Sequence, residues 1–143
     1  MVKLIHMKFV KVLKKHPHIA LNYLLSAPFI FGLIVPMVIL DICGEVYHRI
    51  CFPLYGIPYL KRTQYIKIDR QRLAYLNWIE KIFCAYCGYA NGLMQYGSAL
   101  AAETERYFCS IKHKKAKGFK EPAHHQDFLP YNNKKAFKEF LDK

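Results

Sequence analysis

The residues best suited to chemistry are two cysteines three positions apart, Cys84 and Cys87, in the stretch CAYCGYANG (residues 84–92). Cysteine thiolates bind zinc and iron, and the following Gly88 would let the backbone turn so that its amides point at the sulfurs. A structural zinc ion takes four protein ligands, with Zn–S distances of about 2.3 Å. The cysteine pair therefore predicts half of a metal site, and two further ligands must come from elsewhere.

The obvious second pair is Cys109 and His113, which completes the pattern C-x2-C-x21-C-x3-H. The sequence thus predicts a Cys3His metal site, for zinc in preference to iron, with ligands Cys84, Cys87, Cys109 and His113. A geometric objection arises if residues 93–108 form one helix, because that helix would hold Cys109 about 24 Å from the first pair. One ion cannot bridge that distance.

Two arrangements would remove the objection. The helix could break at Gly97, or the first cysteine pair could fold back along a helical hairpin. Alternatively, the missing ligands could come from the C-terminal stretch AHHQDF, which offers His124, His125 and Asp127. These alternatives remain open at the level of sequence.

Other roles for Cys84 and Cys87 must be weighed against metal binding. A reactive thiol is favoured at a helix N-terminus, but Cys84 follows a predicted helix and has no βαβ pattern around it. Haem attachment would need a histidine where Gly88 stands. The chain has five cysteines, an odd number that argues against a complete disulfide framework. Packing of both cysteines as small apolar side chains is the remaining alternative.

Composition indicates which partner the chain meets. It has 143 residues, enough for one domain, with a net charge of +12 and 53% hydrophobic residues. A chain that is both basic and apolar is suited to an anionic lipid membrane. The basic segment 112–120 has no aromatic platform or known recognition motif, so we expect no nucleic-acid partner.

A stretch of 22 residues without a charge, 19–40, explains the apolar excess. A bilayer core is crossed by a helix of about 20 apolar residues, so the sequence predicts a membrane element over 19–42. The stretch is too long and begins too late for a cleaved signal peptide. Pro28 and Pro36 lie inside it, and they allow either a kinked single span or a re-entrant hairpin bent at 26–28.

The charges on either side of the apolar stretch bear on its topology. Five lysines and no acidic residue precede it, which predicts a cytoplasmic N-terminus. Residues 41–143 carry 17 basic and 10 acidic residues, which favours a cytoplasmic location for them too. Both ends can be cytoplasmic only if the membrane element is re-entrant, so the charges favour the hairpin.

The whole chain is predicted to be all-α, with a membrane-embedded helix, a small helical-hairpin domain and a basic tail. Asp69 is a suitable N-cap for a helix over 69–84, Gly88, Asn91 and Gly92 predict a break, and a second helix follows over 93–108. The predicted segments are an amphipathic interfacial helix (1–18), the membrane element (19–42), an aromatic interfacial connector (43–68), the hairpin (69–111), and a basic tail ending in a short helix (112–143).

Several short motifs carry a resemblance to a protein family. They are PLYGIPY (53–59), IDR (68–70), LNW (76–78), CAYCGYANG (84–92) and CSIKH (109–113). Together they resemble a family of small bacterial membrane-associated proteins, over about residues 50–113. The resemblance implies a bacterial source and the inner membrane, and it carries over no activity.

The sequence leaves two functions to be compared. The first is an accessory or scaffold protein anchored by 19–40, held by a structural zinc and docked on a larger membrane complex. The second is a lipid-active enzyme at the headgroup interface, using residues from the set Asp69, Arg70, Cys84 and His113. No phosphate-binding loop, dinucleotide fingerprint or metalloprotease motif is present in the sequence.

Overall fold

A computed structural model describes residues 17–142 of the chain, which form four α-helices. These are α1 (Pro17–Gly32), α2 (Ile34–Tyr55), α3 (Trp78–Phe108) and α4 (Lys134–Leu141). Short 3₁₀ turns lie at Arg62–Gln64, Arg70–Arg72 and Ala123–His125. The described residues contain no β-strand, which confirms the predicted all-α class. The amphipathic helix predicted for 1–18 lies almost wholly outside the described residues.

Contacts divide the chain into two units, Met1–Leu40 and Asp41–Lys143. The first unit contains the break between α1 and α2, at Leu33. Pro36 accounts for it, because proline has no N–H to donate to the carbonyl four residues earlier, at Gly32, and its ring clashes with that carbonyl. The predicted bend at 26–28 was wrong, since these residues are helical and lie within α1.

One stretch of the described chain is long and apolar enough to cross a membrane, Leu24–Tyr55. None of its most apolar 18-residue window is buried within the protein. Large apolar side chains such as Leu24, Phe29 and Leu33 are exposed.

α2 continues 13 residues beyond the predicted end of the membrane element, so the connector predicted over 43–68 is in large part helical. The helix ends with the backbone pattern of a Schellman motif. Gly56 adopts the left-handed conformation, with φ of +68°. The Ile57 N–H donates to the Phe52 carbonyl at 2.9 Å, and the Gly56 N–H donates to the Pro53 carbonyl at 3.3 Å.

The helical hairpin predicted over 69–111 was also wrong, because α3 is a single 31-residue helix. Its N-cap is Asn77 rather than Asp69. The Asn77 side chain accepts from the Glu80 N–H at 2.9 Å, and the Glu80 carboxylate accepts from the Asn77 N–H at 3.0 Å. This reciprocal capping box satisfies two donors that a helix start otherwise leaves unpaired.

The expected helix breakers Gly88 and Gly92 lie inside α3, where they make room for another segment. A Cβ atom on Gly92 would lie 2.7 Å from the Ile66 Cα and 2.8 Å from the Tyr65 carbonyl oxygen. A Cβ atom on Gly88 would lie 3.1 Å from the Lys67 carbonyl oxygen. The segment 65–68 therefore packs backbone to backbone against α3, which offsets the low helix propensity of glycine.

The core of the second unit lies among the C-terminal half of α2, the loop after it, and the middle of α3. Its buried side chains are Phe52, Ile57, Tyr96 and Leu100. Beyond α3 the chain turns back, and a parallel bridge pairs Ile111 with Leu129. The region predicted as a basic tail thus includes packed side chains, and the short terminal helix predicted there corresponds to α4.

Candidate functional site

The structure does not bring the four predicted metal ligands together. Cys84 and Cys87 lie near the start of α3, whereas Cys109 caps its end. From Cys87 to Cys109 the helix rises about 33 Å, at 1.5 Å per residue. The break that a shared site required does not occur, so Cys84 and Cys87 cannot share an ion with Cys109.

His113 lies at the Cys109 end, where its Nε2 is 3.8 Å from a carboxylate oxygen of Glu105. Two of the residues named for an interfacial enzyme are elsewhere. Asp69 forms an exposed pair with Lys67 at 3.8 Å, and Arg70 opens a 3₁₀ turn. Cys84 and Glu105 are separated by about 32 Å of helix. The set proposed for catalysis is therefore not one site.

The stretch CAYCGYANG instead forms one of the packing surfaces of α3. Gly88 and Gly92 receive the segment 65–68, as described above. Tyr89 extends from the same region of the helix, and its hydroxyl donates to Asp41 Oδ2 at 2.8 Å. Cys84 is partly buried, and Cys87 is an exposed free thiol. The motif couples α3 to both the loop and α2.

A network of polar side chains connects α2 to α3 and to the intervening loop. It consists of Asp41, Glu45, His48, Arg62, Tyr89 and Tyr96, and is called here the interhelix network. At one end, the guanidinium of Arg62 donates to both carboxylate oxygens of Asp41, with Nη2 at 2.6 Å from Oδ2. The Asp41 carboxylate also accepts from Tyr89. Three elements thus meet at a single carboxylate.

The other end of the network is centred on His48, which is fully buried. The Leu60 N–H donates to His48 Nε2 at 3.1 Å, so Nε2 is unprotonated and the ring is neutral with its proton on Nδ1. Nδ1 lies 2.8 Å from the Tyr96 hydroxyl, which donates to Glu45 Oε2 at 3.1 Å. The hydrogen bonds therefore run in one direction, from His48 through Tyr96 to Glu45.

Aromatic rings enclose this chain of hydrogen bonds. His48 stacks on Tyr59 with ring centroids 4.0 Å apart, and it meets Phe52 edge to face at 4.6 Å. The Arg62 guanidinium lies 5.8 Å from the centre of the Tyr96 ring, within the range of a cation–π contact. Together these rings exclude water from the buried imidazole.

The environment shifts the acidity of the network groups on α3 and in the loop. Burial, reinforced by the hydrogen bond to Asp41, raises the pKa of Tyr89 to about 12. Burial and the hydrogen bond to Glu45 raise the pKa of Tyr96 as well. The hydrogen bonds to Asp41 raise the pKa of Arg62. At neutral pH both phenols are therefore neutral donors and Arg62 is a fixed cation.

The sequence did not predict this network. The spacing of its residues does indicate a shared surface, because Asp41, Glu45 and His48 are at positions i, i+4 and i+7 and so lie on one face of a helix. Tyr89 and Tyr96 have the same i, i+7 relationship on α3.

A second polar cluster lies at the end of α3, and within residues 17–142 its groups are the ones that could hold a metal. The Glu105 carboxylate is contacted by His124 Nε2 at 2.8 Å and by His125 Nε2 at 3.1 Å. Ligand atoms of these three residues lie within 4.8 Å of one another. His113 lies on the same carboxylate at 3.8 Å. Of the four predicted ligands, His113 lies beside this cluster, which contains the two histidines that the sequence offered as other ligand sources.

Comparison of the chain with protein-family models, with curated proteins and with solved structures found no match.

Proposed function

We propose that this chain is a membrane-anchored accessory or scaffold protein, and that its α2–α3 unit is a rigid module presented at the surface of an anionic membrane. The observation that supports this most directly is that the most apolar 18-residue window of the Leu24–Tyr55 stretch has no buried residue. A helix that no protein surface covers is stable in a bilayer, where its apolar side chains meet lipid.

The dimensions agree with this proposal. The charge-free stretch 19–40 would be about 33 Å long as a helix, close to the hydrocarbon thickness of about 30 Å. Asp41 is the first charged residue after it, and the interhelix network begins there. The network would thus begin at the level of the lipid headgroups, where the chain changes from apolar to hydrogen-bonded polar side chains.

Of the two anchoring arrangements, a kinked span has more support than a re-entrant hairpin. α1 continues through 26–28, and the break comes at Leu33. The orientation of a span follows the basic residues close to its ends, with the more basic end in the cytoplasm. Five lysines precede the stretch, whereas the first Lys or Arg after it is Arg49. We propose a bacterial inner membrane with the N-terminus cytoplasmic. A span would then place residues 41–143 outside the cytoplasm, and a hairpin would place them inside.

A scaffold has more support than a lipid-active enzyme because the polar groups near the predicted interface are engaged with one another. Arg62 is paired with Asp41, and its guanidinium reaches Glu45 at 3.9 Å. The imidazole of His48 has both nitrogens in hydrogen bonds and no exposed surface. Groups satisfied in this way fix the relative position of helices and offer no open position to a substrate.

Anchoring is tested by expressing the full chain in bacterial cells and washing the isolated membranes with alkaline carbonate. We expect the wild type to stay in the membrane pellet. Phe29→Glu combined with Leu33→Glu should move much of the protein to the supernatant, because carboxylates at mid-bilayer are costly. The control, Tyr75→Glu with Phe140→Glu, adds the same charge at exposed positions outside the stretch. Release of the wild type by carbonate would rule out the anchor.

Topology and assembly need separate measurements. A variant that keeps Cys109 as its single cysteine is treated in intact spheroplasts with a membrane-impermeant maleimide. Labelling of Cys109 in intact spheroplasts places it outside the cytoplasm and supports the span. Labelling of Cys109 only after lysis places it in the cytoplasm and supports the hairpin. Migration in a native gel after mild detergent extraction then tests the scaffold role. We expect the extracted protein to migrate at an apparent mass well above that of the purified chain in detergent. Co-migration with the purified chain would contradict the scaffold role.

A further inference from the structure

The end of α3 holds one carboxylate that faces three imidazoles. Glu105 lies one turn before the last residue of α3, Phe108, and the Nε2 atoms of His113, His124 and His125 all lie within 3.8 Å of its oxygens. These residues are called here the histidine cluster. Imidazole nitrogen and carboxylate oxygen are the donors that zinc and related divalent ions bind in proteins.

The local fold holds these residues in place. After α3 the backbone of Lys112 donates to the Leu129 carbonyl at 2.8 Å, and Leu129 donates to the Ser110 carbonyl at 2.8 Å. This pairing returns the 3₁₀ turn Ala123–His125 to the helix end. Phe128, which is almost fully buried, stacks on the His125 ring at 4.6 Å. The geometry of the cluster is therefore set by packing as well as by its own hydrogen bonds.

The burial of His125 is poorly explained by hydrogen bonding alone. Its side chain is fully buried, and its Nδ1 has no hydrogen-bond partner among the described residues. Within the described part of the chain, the ring has one polar hydrogen-bonding contact, from Nε2 to Glu105 at 3.1 Å. A single hydrogen bond offsets only part of the cost of burying a polar ring, whereas coordination of a cation by Nε2 would contribute much more.

The donor atoms of Glu105, His124 and His125 lie within 4.8 Å of one another, close enough for one small divalent ion to draw them together. Four ligands placed tetrahedrally at Zn–N and Zn–O distances of about 2.0–2.1 Å are separated by roughly 3.3 Å from each other. The distances from the Glu105 oxygens to the three Nε2 atoms are 2.8, 3.1 and 3.8 Å.

We propose that Glu105, His124 and His125 bind a divalent transition ion of the zinc class, with the more exposed His113 as the fourth ligand. The ion would tie the 109–130 segment to the end of α3. Cys84 and Cys87 take no part, and neither does the thiol of Cys109. This proposal is independent of how the chain is anchored in the membrane.

The test uses the full chain, purified in detergent and freed of metal with a chelator that is then removed. Binding of Zn²⁺ is measured by calorimetry, and the bound metal is counted by inductively coupled plasma mass spectrometry. One ion per chain is expected. Loss of a group that only orients a metal ligand typically weakens metal binding 10–100-fold. We therefore expect His124→Ala and Glu105→Gln, which each remove a ligand, to weaken Zn²⁺ binding by at least about 100-fold.

Matched controls separate this cluster from other sites. Glu121→Gln removes a nearby carboxylate that pairs with Lys112, and Cys84→Ser with Cys87→Ser removes two of the four ligands that the sequence predicted. Both should bind Zn²⁺ as the wild type does. If His124→Ala fails to fold, His113→Ala replaces it, because that side chain is 61% exposed. Circular dichroism confirms that each variant is folded.

Cobalt provides a readout of the ligand type. Co²⁺ in the wild type should give the visible bands of a four-coordinate site without an ultraviolet thiolate-to-cobalt charge-transfer band. The proposal is overturned if the folded wild type binds no Zn²⁺, if Glu105→Gln and His124→Ala bind it as tightly as the wild type, or if the thiolate band appears and is lost in the cysteine variant.

Discussion

The carboxylate of Asp41 and the guanidinium of Arg62 form a two-point ion pair that joins α2 to the loop after it. Their side chains are 13% and 35% exposed. Tyr89 donates to the same carboxylate from α3, so removal of Asp41 would release two elements at once. A pair of this kind contributes chiefly to position, because two parallel hydrogen bonds fix the relative orientation of the groups.

The first prediction concerns this pair. Asp41→Asn keeps the shape of the side chain but removes its charge and one acceptor, so Arg62 loses the nearer of the two carboxylates that it faces. We expect a loss of about 1–3 kcal/mol in the free energy of unfolding, because hydrogen bonds to charged groups are among the stronger ones. The measurement is denaturant unfolding of the detergent-solubilised protein, followed by circular dichroism.

An exposed ion pair provides the control for that prediction. Arg49 pairs with Glu45 at 2.7 Å, but its side chain is 69% exposed. Surface pairs of this kind contribute little because water and salt screen them. Arg49→Gln should therefore unfold close to the wild type, and equal effects of Arg49→Gln and Asp41→Asn would contradict the importance assigned to the Asp41–Arg62 pair.

A second prediction compares two glycines of the same helix. Gly92→Ala places a Cβ atom 2.7 Å from the Ile66 Cα, where backbone must move, and should cost about 1–3 kcal/mol as an overpacked site. Gly97→Ala meets nothing within 4 Å and should stabilise the helix by about 0.5–1 kcal/mol. Thermal unfolding of both variants measures the difference. A stabilising Gly92→Ala would show that segment 65–68 does not pack closely on α3.

The third prediction concerns the tautomer of His48. Because the Leu60 N–H occupies Nε2, the ring proton must be on Nδ1 and must point to the Tyr96 hydroxyl. Nitrogen-15 NMR of histidine-labelled protein should show one neutral ring in the less common Nδ1-protonated form. Tyr96→Phe removes the acceptor and should shift that signal. If the signal that shifts in Tyr96→Phe is that of an Nε2-protonated ring, the direction assigned to the network is contradicted.

The sequence predicted well those features that depend on local pattern. The charge-free stretch identified the apolar helical region, and the short helix predicted at the end of the tail is α4. The capping box of Asn77 and Glu80 was also readable, as an Asn followed three positions later by Glu. Asp69 was preferred instead because the residue type alone does not distinguish two good N-caps.

The features that were predicted wrongly depend on contacts between distant residues. Gly88 and Gly92 have low helix propensity, and only the arrival of segment 65–68 makes them favourable within α3. The histidine cluster likewise exists because Ile111 pairs with Leu129, which no local pattern encodes. His124 and His125 could be named from sequence as ligand sources, but their partner Glu105 could not be chosen among the acidic residues.

The last prediction concerns alkaline pH and Tyr89. A phenol has an ordinary pKa of about 10 in an unfolded chain. Burial and the bond to Asp41 raise the pKa of Tyr89 to about 12 in the folded protein. The folded state holds this proton more tightly, so its contribution to stability is complete below about pH 10 and is lost as the pH rises from 10 to 12. Stability should therefore fall with rising pH over that interval, and less so in Tyr89→Phe.

The ionisation itself can be followed by tyrosinate absorbance after rapid pH jumps, as the difference between wild type and Tyr89→Phe. The difference curve should have its midpoint near pH 12. Tyr75→Phe is the control, because it removes an exposed phenol and should leave the step near pH 12 in place. A difference curve centred near pH 10 would mean that the Tyr89 hydroxyl is in water, and that α3 is not joined to Asp41 in the folded protein.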